Sequence, residues 1–212
     1  MTDTLLIPTE AWAAFQWVTL AASRDDVTPA LTMVKLDYTP ATESTPPRLM
    51  MVATDRFRVH RVRVDLPRDD NVDATEGWSQ LVPAKIIAEA AKHPTVGKTK
   101  QSGTLLTVTD SRIEAGDEGW GAALPDKVYT FPSVEKLMHE PDPDATSGPI
   151  AFNAKFLADL SKYTLGGRHD NVWQFTWTQT GNGKPAPVLA RRVDNGIVAE
   201  ALIQPNLLSE IK

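Results

Sequence analysis

Apolar and polar residues alternate with period two in a series of short segments, and three longer segments carry apolar residues at i, i+1 and i+4. The first rhythm is that of half-buried strands, the second that of one face of a helix. Alternation predicts strands over Leu31–Tyr38, Arg48–Thr54, Phe57–Leu66, Thr104–Thr109, Arg112–Ala115 and Gly119–Leu124. Three more are expected at Val172–Thr178, Val188–Arg192 and Ile197–Ile203. The helical segments are Pro8–Trp17, Pro83–His93 and Asn153–Tyr163, and Pro8, Pro83 and Asn153 are suitable residues to start a helix.

The helical segments repeat one another. Pro83-Ala-Lys-Ile-Ile-Ala-Glu-Ala-Ala-Lys-His93 aligns with Asn153-Ala-Lys-Phe-Leu-Ala-Asp-Leu-Ser-Lys-Tyr163, and a weaker copy sets Ala11, Trp12 and Phe15 on the positions of Ile86, Ile87 and Ala90. A short apolar strand precedes each helix and three follow it. The expected class is therefore α+β, with three β-α-β-β-β units that lay helices on one face of antiparallel sheets. Two stretches rich in Pro, Gly, Asp and Ser, Pro67–Gly77 and His139–Gly148, separate the units.

Composition narrows the chemistry. The 212 residues have a net charge of -5, 42% hydrophobic residues and no cysteine, which describes a soluble globular chain and removes disulfides, thiolate zinc sites and cysteine nucleophiles. No apolar run is long enough to span a bilayer and no basic leader precedes one, so a cytoplasmic protein without membrane contact is expected. His60, His93, His139 and His169 show no metal-ligand spacing; Asp142 and Asp144 lack the frame of a calcium loop; Gly181–Lys184 is a hairpin turn rather than a phosphate loop. No nucleophile and base pair up, so no catalytic residue, metal or cofactor is expected.

Charge by position is more informative than net charge. Lys85 and Lys92, and their counterparts Lys155 and Lys162, lie opposite the apolar stripes, with Glu89 and Asp159 one turn away. Two readings stay open: ion pairs that stabilise the helices, or a surface that offers lysines to phosphates together with Arg24, Lys98, Lys100 and Arg168. Arg56, Arg58, His60, Arg61 and Arg63 alternate with apolar residues, the pattern of a charged edge strand. Trp173, Phe175 and Trp177 share one side of a strand and are assigned to the core rather than to a base-stacking platform.

Several segments resemble the bacterial DNA polymerase III β sliding clamp family, in a shortened, phage-like form. Val52-Ala-Thr-Asp-Arg-Phe-Arg-Val59 is similar to its V-A-T-D-G-H-R-L, and Phe131-Pro-Ser-Val-Glu-Lys-Leu137 to its F/Y-P-D-x-x-x-L/V. Leu81-Val-Pro-Ala-Lys85 and Ile150-Ala-Phe-Asn153 precede the second and third helices, and Ala201-Leu-Ile-Gln-Pro-Asn206 is similar to the closing Y-V-V-M-P-M. The order and spacing of these segments agree with the repeat found independently.

The resemblance implies the DNA-clamp architecture, with residues 1–138 as a complete two-unit domain, 139–148 as linker and 149–212 as a half-domain similar to the end of the family's last domain. It implies a non-catalytic processivity factor that tethers a DNA polymerase to duplex DNA. The family's partner-peptide pocket maps onto Leu31, Thr54, Arg56, Phe57, Arg58, Val59, Pro132, Lys136, Leu137, Leu202, Gln204, Pro205 and Asn206, with Arg58 or Lys136 orienting the peptide. Polymerase and clamp-loader subunits are the implied peptide partners. Four chains of three units would supply the twelve units of a family ring, so a homotetramer is the expected assembly. The alternative is a monomer that keeps the pocket, binds clamp-binding peptides and modulates a host replisome.

Overall fold

A computed structural model of the chain describes residues 2–68, 76–93, 103–116, 120–138, 151–164, 172–179 and 185–205. The first unit consists of β1 (Thr2–Pro8), α1 (Ala11–Val18), β2 (Met33–Thr39), β3 (Arg48–Thr54) and β4 (Arg58–Asp65). The second repeats that order as β5 (Trp78–Pro83), α2 (Ala84–Ala90), β6 (Gly103–Thr109), β7 (Arg112–Ala115) and β8 (Trp120–Ala123). The third has α3 (Ala154–Leu160), β9 (Gln174–Gln179), β10 (Pro185–Asp194) and β11 (Ile197–Ile203). The α+β class with helices over antiparallel sheets is the one expected.

The first two units interlock by exchanging their opening strands. β1 pairs with β6, Leu5 opposite Leu106, and β5 pairs with β2, Val82 opposite Val34. Gly103 permits the first crossing, since a Cβ there would stand 2.6 Å from the Ile7 carbonyl oxygen. One sheet has the order β1-β6-β7-β8; the other has seven strands, β5-β2-β3-β4-β11-β10-β9.

The seven-stranded sheet corrects the edge-strand expectation for the Arg56–Arg63 segment. β4 lies inside it, bonded to β3 on one side and to β11 on the other. Interior placement of so many charges is tolerable because Arg61 sits directly opposite Glu200 and makes a 2.7 Å ion pair with it. His60, on the opposite face of β4, is fully buried.

Several element boundaries also differ, β10 by three residues at its start and the helices by up to three at their ends. Pro8 ends β1 instead of opening α1, and Leu31 falls in a 3₁₀ turn, Pro29–Thr32, that Pro29 opens before β2 begins. At the other end of the chain, β10 and β11 are joined by a two-residue turn, Asn195 and Gly196, with φ of 45° and 77°. Asn-Gly is the pair that tolerates such positive φ values and matches the strand twist.

The main core lies under the helices, where Trp12, Phe15 and Trp17 of α1 and Ile86 and Ile87 of α2 pack on β2, β3, β4 and β6. Trp17 knots the first and third units together. It stacks on His60 at 4.0 Å, meets Tyr163 at 5.2 Å and Trp173 at 5.3 Å, and donates its indole N–H to the Asp159 carbonyl at 2.9 Å. A second, smaller core forms on the opposite sheet face, where Val134 packs on Val52, Val59 and Leu202. Trp173 joins the main core as expected, whereas Phe175 is 38% exposed, a departure from its assignment to the core. The side chain of Trp177 lies outside the described residues.

Candidate functional site

The smaller core forms the floor of an apolar cavity of about 160 Å³ where the first and third units meet. Val59 and Leu202 are cross-strand partners in β4 and β11, so the strand pairing itself sets the floor. One wall is the β3–β4 loop. Asp55 shapes it by accepting the backbone N–H groups of Phe57 and Arg58 at 3.1 Å, and the Thr54 hydroxyl donates to the Arg58 carbonyl at 2.8 Å. Gln204 N–H donates to the Phe57 carbonyl at 2.9 Å, which ties the end of β11 to this loop. The segment after β8 supplies the other wall through Pro132, Ser133, Val134 and Leu137, the last in a 3₁₀ turn, Glu135–Leu137.

Phe57 is 62% exposed and Leu137 50% exposed, so two large apolar side chains flank a concave apolar floor. Such a surface suits short peptides that insert apolar side chains while loop backbone groups set their direction. Arg56 has φ of 79°, a conformation natural to glycine, and its guanidinium donates to the Thr28 hydroxyl at 2.6 Å.

Among the residues expected at a pocket, Leu31, Thr54, Arg56, Phe57, Arg58, Val59, Pro132, Leu137, Leu202 and Gln204 stand together around this cavity. Pro205 is buried and is not among the lining residues. Asn206 and the side chain of Lys136 lie outside the described residues. Ser133, Val134 and Pro187 line the cavity without having been expected there. Val134 was recognisable, because it is the apolar residue inside the same Phe131–Leu137 segment. Pro187 had no such signal; it lies where the β9–β10 register shifts.

The guanidinium of Arg58, expected to orient a peptide, is engaged within the chain. The side chain is buried, and the guanidinium is bonded to the carboxylates of Asp55 and Asp159 and to the Leu20 carbonyl. The Asp159 carboxylate is buried too; it makes the expected helix ion pair with Lys162 and, beyond that, bonds Arg58 of the first unit. Burial pushes its pKa up, but hydrogen bonds from Lys162 and Arg58 outweigh that and hold it below the ordinary value. For His60, burial dominates and pushes the imidazole down to about 3, against the opposing bond to the Trp17 carbonyl, so the ring is neutral.

The lysines occupy the helix side. Arg24, Lys85 and Lys92 line one concavity of about 970 Å³. Arg24, Lys155 and Lys162 line a second of about 390 Å³. Arg24 is common to both, so the two lysine pairs flank a shared surface on the face that carries the helices. Lys98, Lys100 and Arg168 lie outside the described residues. No group of three His, Asp or Glu side chains suited to a metal ion occurs among the described residues.

Solved structures with this arrangement include β subunits of bacterial DNA polymerase III. The β subunit of DNA polymerase III from Caulobacter crescentus superposes with a TM-score of 0.64 at 17% identity, over 97% of this chain and 66% of that one. The Pseudomonas aeruginosa β subunit gives 0.67 at 13% identity, and that of Thermotoga maritima 0.66 at 13%, each again over 97% of this chain and 66% of the other. The chain has the sliding-clamp fold. No family model matches the sequence. The clamp fold is thus retained at very low identity, in a chain that spans just under two thirds of the length of these solved clamp subunits.

Proposed function

We propose that the chain is a sliding clamp: a non-catalytic processivity factor that surrounds duplex DNA as a ring of several copies and recruits a DNA polymerase and clamp-loader subunits through the Phe57–Leu137 cavity. The observation that carries this reading is that cavity, an apolar pocket open between two exposed hydrophobic side chains at the junction of two clamp units. Partner peptides that bury Leu or Phe there gain roughly 1.5–3 kcal/mol per side chain. That supports micromolar binding, strengthened when a ring presents several cavities at once.

The helix face supports the second half of the reading. Arg24, Lys85, Lys92, Lys155 and Lys162 share one surface in a chain whose net charge is negative, so attraction to phosphates is local and independent of base sequence. The residues 1–138 form the complete domain in this proposal and 149–212 a half-domain. The test is retention on nicked circular DNA in a gel-filtration assay with a clamp loader present. A clamp co-elutes with the circle and is released when the circle is linearised; equal retention on both forms, or none on either, overturns the proposal.

A further inference from the structure

The two halves of the complete domain show what a clamp unit needs in order to be covered. β2 receives β5 from the second unit, and β6 receives β1 from the first. α1 and α2 pack against each other over the interior, which leaves Trp12 at 4% and Ile87 at 1% exposure.

The third unit has the same parts without the cover. Its first meander strand, β9, ends the seven-stranded sheet, where β2 and β6 are each capped by an exchanged strand. Its opening segment, 151–153, belongs to no ladder of either sheet; it makes an isolated bridge at Ala151, packs Phe152 against the main core and caps α3 with Asn153. Leu157 occupies the position of Trp12 and Ile87 in the repeat, yet it is 38% exposed. Phe175 lies across from Ala190 on the helix side of β9, and is also 38% exposed where Leu36 and Leu106, on the same side of β2 and β6, are fully buried.

We propose that this face is covered by the third unit of a second copy of the chain, the two exchanging their 151–153 segments onto each other's β9 and packing α3 against α3 about a two-fold axis. The occupant follows from the repeat: what covers a clamp unit in this molecule is another clamp unit, and the third unit carries both the exposed face and the strand to be given away. Such a surface is self-complementary, as a two-fold contact requires. The contact adds to the clamp reading the surface through which copies meet, and depends only on the fold.

Light scattering on a sizing column at low salt, over a range of protein concentrations, tests it without DNA. The chain is expected at an even number of copies, two or four times 23.2 kDa. Leu157→Glu is expected to halve that mass with an unchanged far-ultraviolet circular dichroism spectrum, while Val128→Glu, at an exposed position among first- and second-unit residues, leaves it unchanged. Phe175→Ser places the same test on the strand, and its expected halving decides the matter if the helix variant does not stay folded. A single chain at every concentration, an odd number of copies, or a mass unchanged in the folded variants overturns the inference. An even-numbered oligomer that slips from circular DNA leaves the contact standing and overturns the proposed function.

Discussion

Arg58 of the first unit bonds Asp159 of the third across the buried seam between β4 and α3. The two are 101 residues apart in sequence, and each has a further partner: Asp55 for the guanidinium, Lys162 for the carboxylate. Phe156 also lies beneath the guanidinium, its ring centroid 4.7 Å from the arginine carbon. The seam that forms the candidate pocket is therefore closed on its helix side by a desolvated ion network.

Removing one partner leaves the other charged and buried. Asp159→Ala is expected to lower unfolding stability by about 3 kcal/mol, the range measured when a buried pair is broken on one side. Urea denaturation reads this as a lower midpoint at unchanged slope. A loss below about 1 kcal/mol would show that Asp55 and Leu20 suffice to hold Arg58.

The stacked pair of His60 and Trp17 makes stability depend on pH. Burial lowers the folded pKa of His60 to about 3, so the unfolded chain binds more protons between there and the ordinary value near 6.5. The contribution is complete above the ordinary value and is lost as pH falls toward 3, at up to about 1.4 kcal/mol per pH unit. The folded pKa of Asp159 is lowered from 3.8, so its contribution is lost only below that value. Urea midpoints between pH 5 and 7 therefore isolate the histidine from that carboxylate, and His60→Phe is expected to flatten the slope.

At the cavity, Phe57→Ala and Leu137→Ala are expected to weaken binding of a fluorescent clamp-binding peptide about tenfold each, corresponding to about 1.4 kcal/mol. Both side chains are largely exposed, so thermal unfolding should shift little. Fluorescence anisotropy that gives the same Kd for both variants and the parent would remove the cavity from the proposed function.

The helix-face cations should appear in the salt dependence of DNA retention. Replacing Lys85, Lys92, Lys155 and Lys162 with alanine is expected to reduce the slope of log K against log salt by about 3, fewer than one per lysine because Lys162 also serves Asp159. An unchanged slope would assign these lysines to helix stability alone.

Much of the architecture was legible because its cues are local. Strands β3, β7 and β11 begin and end where alternation predicted them, and the repeat of Pro83–His93 in Asn153–Tyr163 located α2 and α3. The charged strand was not legible. Arg61 reads as an edge residue until Glu200, 139 positions later, is set opposite it. The burial of Arg58 is illegible for the same reason, since nothing near it in sequence announces Asp159 or the Leu20 carbonyl as its partners.

The cavity shows the division within one site. Its apolar residues were identifiable from segments similar to a known family, but Pro187 entered through a register shift between β9 and β10 that no local pattern encodes. By itself the sequence determined most of the elements and their order, though not the opening strand expected before α3, because side-chain period and turn chemistry act over a few neighbouring residues. Only the tertiary structure decided that opening strands cross between units, that β4 pairs with β11, and that Leu157 remains uncovered where Trp12 and Ile87 are buried. Strand pairing is a choice among distant partners whose backbones are chemically alike, and it is settled by which faces are left to bury once all the elements are present.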